Sequence, residues 1–175
     1  MAKVIEGTYE GKGLKFGIVV SRFNEFVTKS MLEGALNELR RSGVLESAMT
    51  VSWVPGAYEI PVACQTMAET KTFDALITLG CIIRGETTHY EHIAQSVCNG
   101  IQKVALDHCL PVGLGVLTVE DMEQAMDRAG GKQGNKGRDA ARSALEMVHV
   151  IRELKSATDH EVKIKQLMAR EFEHQ

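Results

Sequence analysis

Four short apolar runs recur along the chain, at residues 14–21, 49–56, 73–83 and 111–119. Each run is followed by a segment whose apolar residues recur at helical spacing. The runs are apolar along their whole length, so strands formed from them must be buried on both faces. This alternation predicts an α/β fold with a central four-stranded parallel sheet covered on both faces by helices.

Local signals set some of the helix boundaries. Gly43 follows the first helical pattern and predicts a helix stop there. Pro61, in "AYEIPVACQTMAE", suits the first turn of the second helix. After about Leu154 the sequence becomes more charged, which divides the chain into a domain at 1–154 and an amphipathic extension at 155–175. The extension keeps helical spacing at four apolar residues, namely Ile164, Leu167, Met168 and Phe172.

Length and composition exclude several classes of protein. A chain of 175 residues fits one domain. A formal charge of -3 without a basic block predicts no nucleic-acid partner. No apolar run reaches the roughly 18 residues that a membrane span needs. The start of the chain, "MAKVIEGTYEGKG", lacks the apolar stretch of a signal peptide, so we expect a cytoplasmic protein.

The four cysteines, at positions 64, 81, 98 and 109, lie far apart and form no CxxC motif. Structural zinc and disulfides are therefore disfavoured. We expect buried thiols in a reducing compartment.

The residues that packing explains least follow the four predicted strands. They are "SRFNEF" (21–26), "PGAYE" (55–59), "RGETTH" (84–89) and "TVEDMEQA" (118–125). The carboxyl ends of parallel strands meet at one edge of a sheet, where open α/β proteins bind their ligands. The sequence therefore predicts a binding site at this edge.

Several of these side chains also have purely structural interpretations. Phe23 could cap the core or form a stacking surface. Glu59 could be a helix N-terminal carboxylate or a ligand contact. Thr87 and Thr88 are both suitable N-cap residues.

His89 and His92 are spaced to share one helix face, with Glu91 between them, so a metal site is one hypothesis. However, HExxH is absent and no third ligand stands at a recognisable spacing. A histidine at a helix N-terminus is better suited to moving protons beside an anion. An ordinary surface histidine is the remaining alternative.

The segment "GGKQGNKG" (130–137) resembles a phosphate loop, but Lys136 is followed by Gly137 and the segment follows a helix rather than a strand. It is interpreted as a flexible connector. No GxGxxG follows the first strand, so a dinucleotide site is also disfavoured.

Five segments together carry a family resemblance, in a fixed order and at a fixed spacing. They are "SRFNEF", "VPGAYEIP", "GCIIRGETTHYEHI", "GVLTVEDMEQAMDRAG" and "GNKG". Over about residues 4–154 the chain resembles the 6,7-dimethyl-8-ribityllumazine synthase family of riboflavin biosynthesis.

The resemblance implies a flavodoxin-like three-layer α/β/α sandwich and a transferase activity. The family joins 5-amino-6-(D-ribitylamino)uracil to 3,4-dihydroxy-2-butanone 4-phosphate, releasing phosphate and water, with no cofactor and no metal. It also implies active sites between adjacent subunits of a pentamer, which in many members assembles into a sixty-subunit shell. The connector at 130–137 lacks the insertion that pentameric members can carry, which favours the shell.

By position, the resemblance assigns the pyrimidine and ribityl side of the site. Phe23 would stack on the pyrimidine ring, and Ala57, Tyr58 and Glu59 would line that side. The Glu59 carboxylate would accept hydrogen bonds from ribityl hydroxyls. Backbone groups at the ring edge would come from Cys81, Ile82 and Ile83.

By position, the resemblance also assigns the residues on the phosphate side of the site. Glu86 and Thr87 would hold the phosphate, helped by the helix N-terminus, and His89 would transfer protons. Arg128 of the neighbouring subunit would pair with the phosphate, and Lys136 would add positive charge nearby.

Two positions depart from the family pattern. Leu114, also expected from the neighbouring subunit, stands where an aromatic residue is usual, so the pocket would close more loosely. Cys81 stands where Thr or a small aliphatic residue is common, with little consequence if its backbone makes the contact. Two other functions stay open: a flavin- or lumazine-binding or shell-forming protein without catalysis, and a zinc- or iron-dependent hydrolase at His89 and His92.

Overall fold

A computed structural model describes the backbone of residues 2–172 and the side chains of residues 2–157. Four strands, β1 (Phe16–Ser21), β2 (Met49–Val54), β3 (Ala75–Ile83) and β4 (Val112–Val119), form one sheet. All its pairings are parallel, and the strand order is β2-β1-β3-β4. The predicted four-stranded parallel sheet is confirmed, with each strand inside its predicted run.

Five helices cover the sheet: α1 (Glu25–Arg41), α2 (Ile60–Glu69), α3 (His89–His108), α4 (Met122–Arg128) and α5 (Lys136–Phe172). Helices α1 and α5 pack together on one face, and α2 and α3 pack together on the other. The result is the flavodoxin-like three-layer sandwich that was expected. Within the described residues, no helix is both long and apolar enough to cross a membrane.

The two central strands carry the core because helices cover both of their faces. In β3, Ile77 and Leu79 pack towards α1 and α5, while Leu76 and Ile82 pack towards α2 and α3. The edge strand β4 is less covered, and its Leu114 is 52% exposed. The carboxyl ends of β1 and β3 therefore lie between two layers of helices.

Both predicted helix signals are confirmed. Helix α1 is capped by Ser42, and Gly43 follows with φ 88°. This is the left-handed conformation that glycine adopts most easily. Pro61 lies in the first turn of α2, directly after a short 3₁₀ turn at Ala57–Glu59, as its fixed φ favours.

The predicted flexible connector at 130–137 is wrong. The chain forms a small antiparallel hairpin there, with β5 (Ala129–Gly131) paired to β6 (Gly134–Asn135). Gly134 has φ 76°. This positive φ explains glycine at the tight turn.

The Asn135 side chain fixes this hairpin to two helices. Its Nδ2 donates to the carbonyl oxygens of Ser30, in α1, at 2.9 Å and of Ala129 at 3.1 Å. Its Oδ1 accepts from the N–H groups of Gly137 at 2.9 Å and Arg138 at 3.1 Å, at the start of α5. The "GNKG" segment therefore has a structural role that its glycine content conceals.

Helix α5 runs without a break through the predicted boundary between 154 and 155. The backbone is helical to Phe172, whereas the side chains of the four predicted apolar positions at 164, 167, 168 and 172 lie outside the described residues.

Candidate active site

Strand β1 has β2 on one side and β3 on the other, so the direction in which the chain winds across the sheet reverses between β1 and β3. Such a change leaves a crevice beyond the carboxyl ends of the two strands. A cavity of about 340 Å³ lies at this point. It is lined by Phe23, Gly56, Ala57, Tyr58, Cys81, Ile82, Ile83, Gly85, Thr87, His89, Tyr90 and Ile93.

Most of the predicted site residues meet in this cavity, although they come from three separate parts of the chain. Those that line it are Phe23, Ala57, Tyr58, Cys81, Ile82, Ile83, Thr87 and His89. The expectation that the loops after the strands converge at one edge is confirmed for the loops after β1, β2 and β3.

Phe23 forms an aromatic wall of the cavity and does not cap the core. Its side chain is 70% exposed, and its backbone N–H donates to the carbonyl oxygen of Pro55 at 3.1 Å. This bond holds the loop after β1 against the loop after β2, beside the cavity that Phe23 lines.

Asn24 is a site residue that the sequence reasoning missed. It adopts the left-handed conformation with φ 59°, which asparagine tolerates better than most residues. Its Nδ2 donates to the carbonyl oxygen of Cys81 at 2.9 Å. The amide thus ties the loop after β1 to the end of β3, and an Asn directly before a helix was the available signal.

The Glu59 carboxylate caps the turn in which it lies. Its Oε2 accepts from the backbone N–H of Gly56 at 2.8 Å. This bond confirms the helix N-terminal interpretation, in which a carboxylate is favoured at the start of a helix. Glu59 does not line the cavity, whereas its neighbour Tyr58 does and is 60% exposed.

His89 is the first residue of α3 and is exposed at the rim of the cavity. Thr88 occupies the N-cap position but makes no side-chain capping bond. The first turn of a helix leaves backbone N–H groups without helical partners, and these attract anions. An imidazole and an anion-binding helix end therefore lie side by side.

Arg84 connects the ends of β3 and β4. Its backbone N–H donates to the carbonyl oxygen of Val119 at 2.9 Å, and its Nη1 lies 2.9 Å from Oε2 of Glu120. The guanidinium carbon also lies 5.8 Å from the centre of the Tyr90 ring. The hydrogen bond to Glu120 raises the pKa of Arg84 above its usual value. The guanidinium is charged near neutral pH with or without this shift.

The remaining predicted residues do not line this cavity. Glu86 is exposed in the loop between Gly85 and Thr87. Leu114 lies near the start of β4 with its side chain exposed, away from the carboxyl end of that strand.

The two predicted cationic residues also lie outside the cavity of their own chain. Arg128 ends α4, and its Nη1 donates to the carbonyl oxygen of Gln124 at 3.1 Å. Lys136 begins α5 and forms an ion pair with Asp139 at 2.9 Å.

The buried cysteines are unreactive thiols. Burial raises the pKa of Cys81 to about 11 and that of Cys64 to about 12, so both are neutral near pH 7. The role predicted for Cys81 is a backbone contact, which does not depend on the thiol and stays a prediction. Among the residues whose side chains are described, no three His, Cys, Asp or Glu side chains come together as a metal site.

A second cavity of about 340 Å³ lies at the opposite edge of the sheet, before the starts of β3 and β4. Its walls include Asp74, which forms an ion pair with Arg152 at 2.6 Å, and Pro111. It holds none of the predicted site residues.

A cavity at the switch point, with an aromatic wall and a histidine at a helix N-terminus, defines a small-molecule enzyme of the doubly wound α/β class. The sequence model of the 6,7-dimethyl-8-ribityllumazine synthase family matches residues 13–152. The chain belongs to this family. It is accordingly a transferase that serves riboflavin biosynthesis.

Proposed function

We propose that the protein condenses 5-amino-6-(D-ribitylamino)uracil with 3,4-dihydroxy-2-butanone 4-phosphate to 6,7-dimethyl-8-ribityllumazine, with release of phosphate and water. One observation carries the proposal: the cavity at the switch point brings Phe23, Ala57, Thr87 and His89 together in a member of this family. No redox step is needed, so the residues themselves have to supply binding and proton transfer.

The apolar side of the cavity receives the pyrimidine. The exposed ring of Phe23 offers a stacking surface, and Ala57 and Tyr58 lie on the facing loop. Backbone groups of residues 81–83 give the ring edge its hydrogen bonds. Glu59 binds the ribityl hydroxyls with the acceptor sites that its capping bond leaves, because a carboxylate has about four of them.

The other end of the cavity receives the phosphate. Thr87, Glu86 through its backbone, and the N–H groups at the start of α3 bind the anion. Arg128 comes from the adjacent subunit and neutralises it, and Lys136 adds positive charge nearby. Their separation from the cavity of their own chain supports this arrangement, since a fully formed site then requires a second copy.

His89 moves the protons. The amine of the pyrimidine attacks the ketone, and the adduct loses water to give an imine. Phosphate then leaves, the resulting enol rearranges to a ketone, and the ribityl-bearing amine attacks that carbonyl with loss of a second water, which closes the ring. Each step transfers a proton at neutral pH, and the imidazole is suited to that task. Leu114 of the neighbour covers the pyrimidine with an aliphatic side chain, so the pocket closes less tightly than with an aromatic residue.

The test is to mix both substrates with the purified protein and follow lumazine absorbance together with released phosphate. We expect the two products to form in equal amounts and in proportion to enzyme concentration. Flavin or lumazine binding without any condensation would instead support a binding protein and overturn the proposal.

A further inference from the structure

We propose that Glu120 is a positioning residue that links phosphate-binding groups of two neighbouring sites through Arg84 and Gln124. These groups are the loop at 85–88, which serves the site of its own chain, and Arg128, which serves the site of the adjacent subunit. This inference rests on the proposed function for the roles of the loop and of Arg128.

The first half of the link fixes the start of the loop. Arg84 is held by its backbone bond to Val119, by its ion pair with Glu120 and by the face of the Tyr90 ring. Tyr90 directly follows His89 in the first turn of α3. Arg84 therefore restrains the loop at both ends. It directly precedes Gly85 at the start of the loop, and it contacts Tyr90 in the first turn of α3, where the loop ends.

The second half of the link fixes the helix that carries Arg128. The backbone N–H of Glu120 donates to Oε1 of Gln124 at 3.2 Å, and the N–H of Gln124 donates to the Asp121 carboxylate at 2.8 Å. The carbonyl oxygen of Gln124 then accepts from Nη1 of Arg128 at 3.1 Å. Glu120 thus contacts Arg84 with its side chain and the α4 helix with its backbone.

The purpose of this link is orientation rather than stability. The side chains of Arg84 and Glu120 are 56% and 55% exposed. Ion pairs at that exposure contribute little to folding. However, because the link holds the loop and Arg128 in place before substrate arrives, both lose less conformational freedom when phosphate binds. Loss of the link should therefore weaken phosphate binding and leave folding and pyrimidine binding intact.

The experiment compares Arg84→Met and Glu120→Gln with Lys103→Met, which removes the cation of an exposed ion pair to Asp107 on α3. In both test variants we expect the KM for the butanone phosphate to rise about five- to tenfold. The KM for the pyrimidine, kcat and the thermal unfolding midpoint should stay within the range of the control. Arg84→Lys, which can keep the ion pair, should recover part of the loss.

Calorimetric titration with inorganic phosphate gives a second readout that does not depend on turnover. The phosphate dissociation constant should rise in Arg84→Met and Glu120→Gln, and the double variant should be no weaker than the worse single one. Equal phosphate affinity in all variants would overturn the inference. Tighter phosphate binding in Glu120→Gln would also overturn it. That result would mean that Arg84 binds phosphate directly and that its ion pair with Glu120 competes with this binding. Absence of lumazine formation by the unaltered protein would instead count against the proposed function.

Discussion

The side chain of His89 combines exposure with a place at a helix N-terminus, and its neighbour on the same helix provides a natural control. His92 lies one turn further along α3 and is also exposed, but it does not line the cavity. The proton-transfer hypothesis therefore predicts different effects for substitutions at His89 and His92, which the sequence alone does not distinguish.

We predict that His89→Ala lowers kcat for lumazine formation about 100-fold, near the lower end for general acid–base groups because the substrates are reactive. His92→Ala should stay within about twofold of the unaltered protein. Steady-state absorbance measurements at saturating substrate check both. Equal losses in the two variants, together with stoichiometric metal in the purified protein, would favour the hydrolase hypothesis instead.

The buried thiols make stability depend on pH. Cys64 and Cys81 have an ordinary pKa of 9.0, which burial raises to about 12 and about 11. Above pH 9 the unfolded chain loses these protons while the folded chain keeps them. The stabilisation is therefore complete below pH 9 and is lost as pH rises towards 11–12.

We predict that the free energy of unfolding falls with pH in this window by up to about 1.4 kcal/mol per pH unit for each buried thiol. Urea unfolding at a series of pH values measures the slope. Cys64→Ala and Cys81→Ala should each make the slope shallower, whereas Cys109→Ala, at an exposed position, should not. An unchanged slope in the first two variants would refute the assignment.

A single side chain fixes the hairpin of β5 and β6 to the rest of the fold. Asn135 makes hydrogen bonds to both neighbouring helices and within the hairpin. The residue is half-buried, so an alanine there would leave several backbone groups without partners and with little access to water.

We predict that Asn135→Ala lowers the free energy of unfolding by about 2 kcal/mol. The matched control is Asn99→Ala, at an exposed position of α3. It should change the free energy of unfolding by less than about 0.5 kcal/mol. Chemical unfolding of the two variants checks the difference, and similar values for both would mean that the hairpin is held by other contacts.

The contrast between the strands and this hairpin shows which elements the sequence makes predictable. The strands were found because burial on both faces demands continuous apolar runs, as in Ala75–Ile83. The hairpin was mistaken for a flexible connector because the bond that fixes it to α1 joins Asn135 to the carbonyl oxygen of Ser30, which is distant in sequence, and such a bond leaves no periodic pattern. Asn24 escaped notice for the same reason, since its partner is the carbonyl oxygen of Cys81. Convergence of the loops followed from sheet topology, whereas the resemblance assigned Leu114 and Arg128 to the site of a neighbouring subunit, and that assignment stays a prediction.

At the level of the entire protein, the proposal requires more than one chain. Arg128, Lys136 and Leu114 lie outside the cavity of their own chain, so an isolated protomer would lack the cations that neutralise the phosphate. A ring of copies joined head to tail would supply them at every interface.

We predict a pentamer of 19.2 kDa chains as the smallest active unit, and a sixty-subunit shell as the favoured assembly. Sedimentation velocity distinguishes the two, and an active monomer would contradict the shared site. We further propose that residues 155–175 form an extension outside the catalytic domain. A chain ending at Leu154 should therefore keep its kcat. If the truncation has an effect, we expect it on the size of the assembly, which the sedimentation profile measures.

The most direct measurement of the shared site is complementation between two variants, each of which removes one of the two residues. Oligomers are co-assembled from equal amounts of His89→Ala and Arg128→Ala chains, and lumazine formation is compared with that of each variant alone. If Arg128 of one chain and His89 of the adjacent chain form one active site, roughly one quarter of the interfaces in the mixed oligomer hold both intact residues. Activity should then return to about one quarter of that of the unaltered protein. If mixing yields only the average of the two parent variants, the two residues do not act across an interface and the account is wrong.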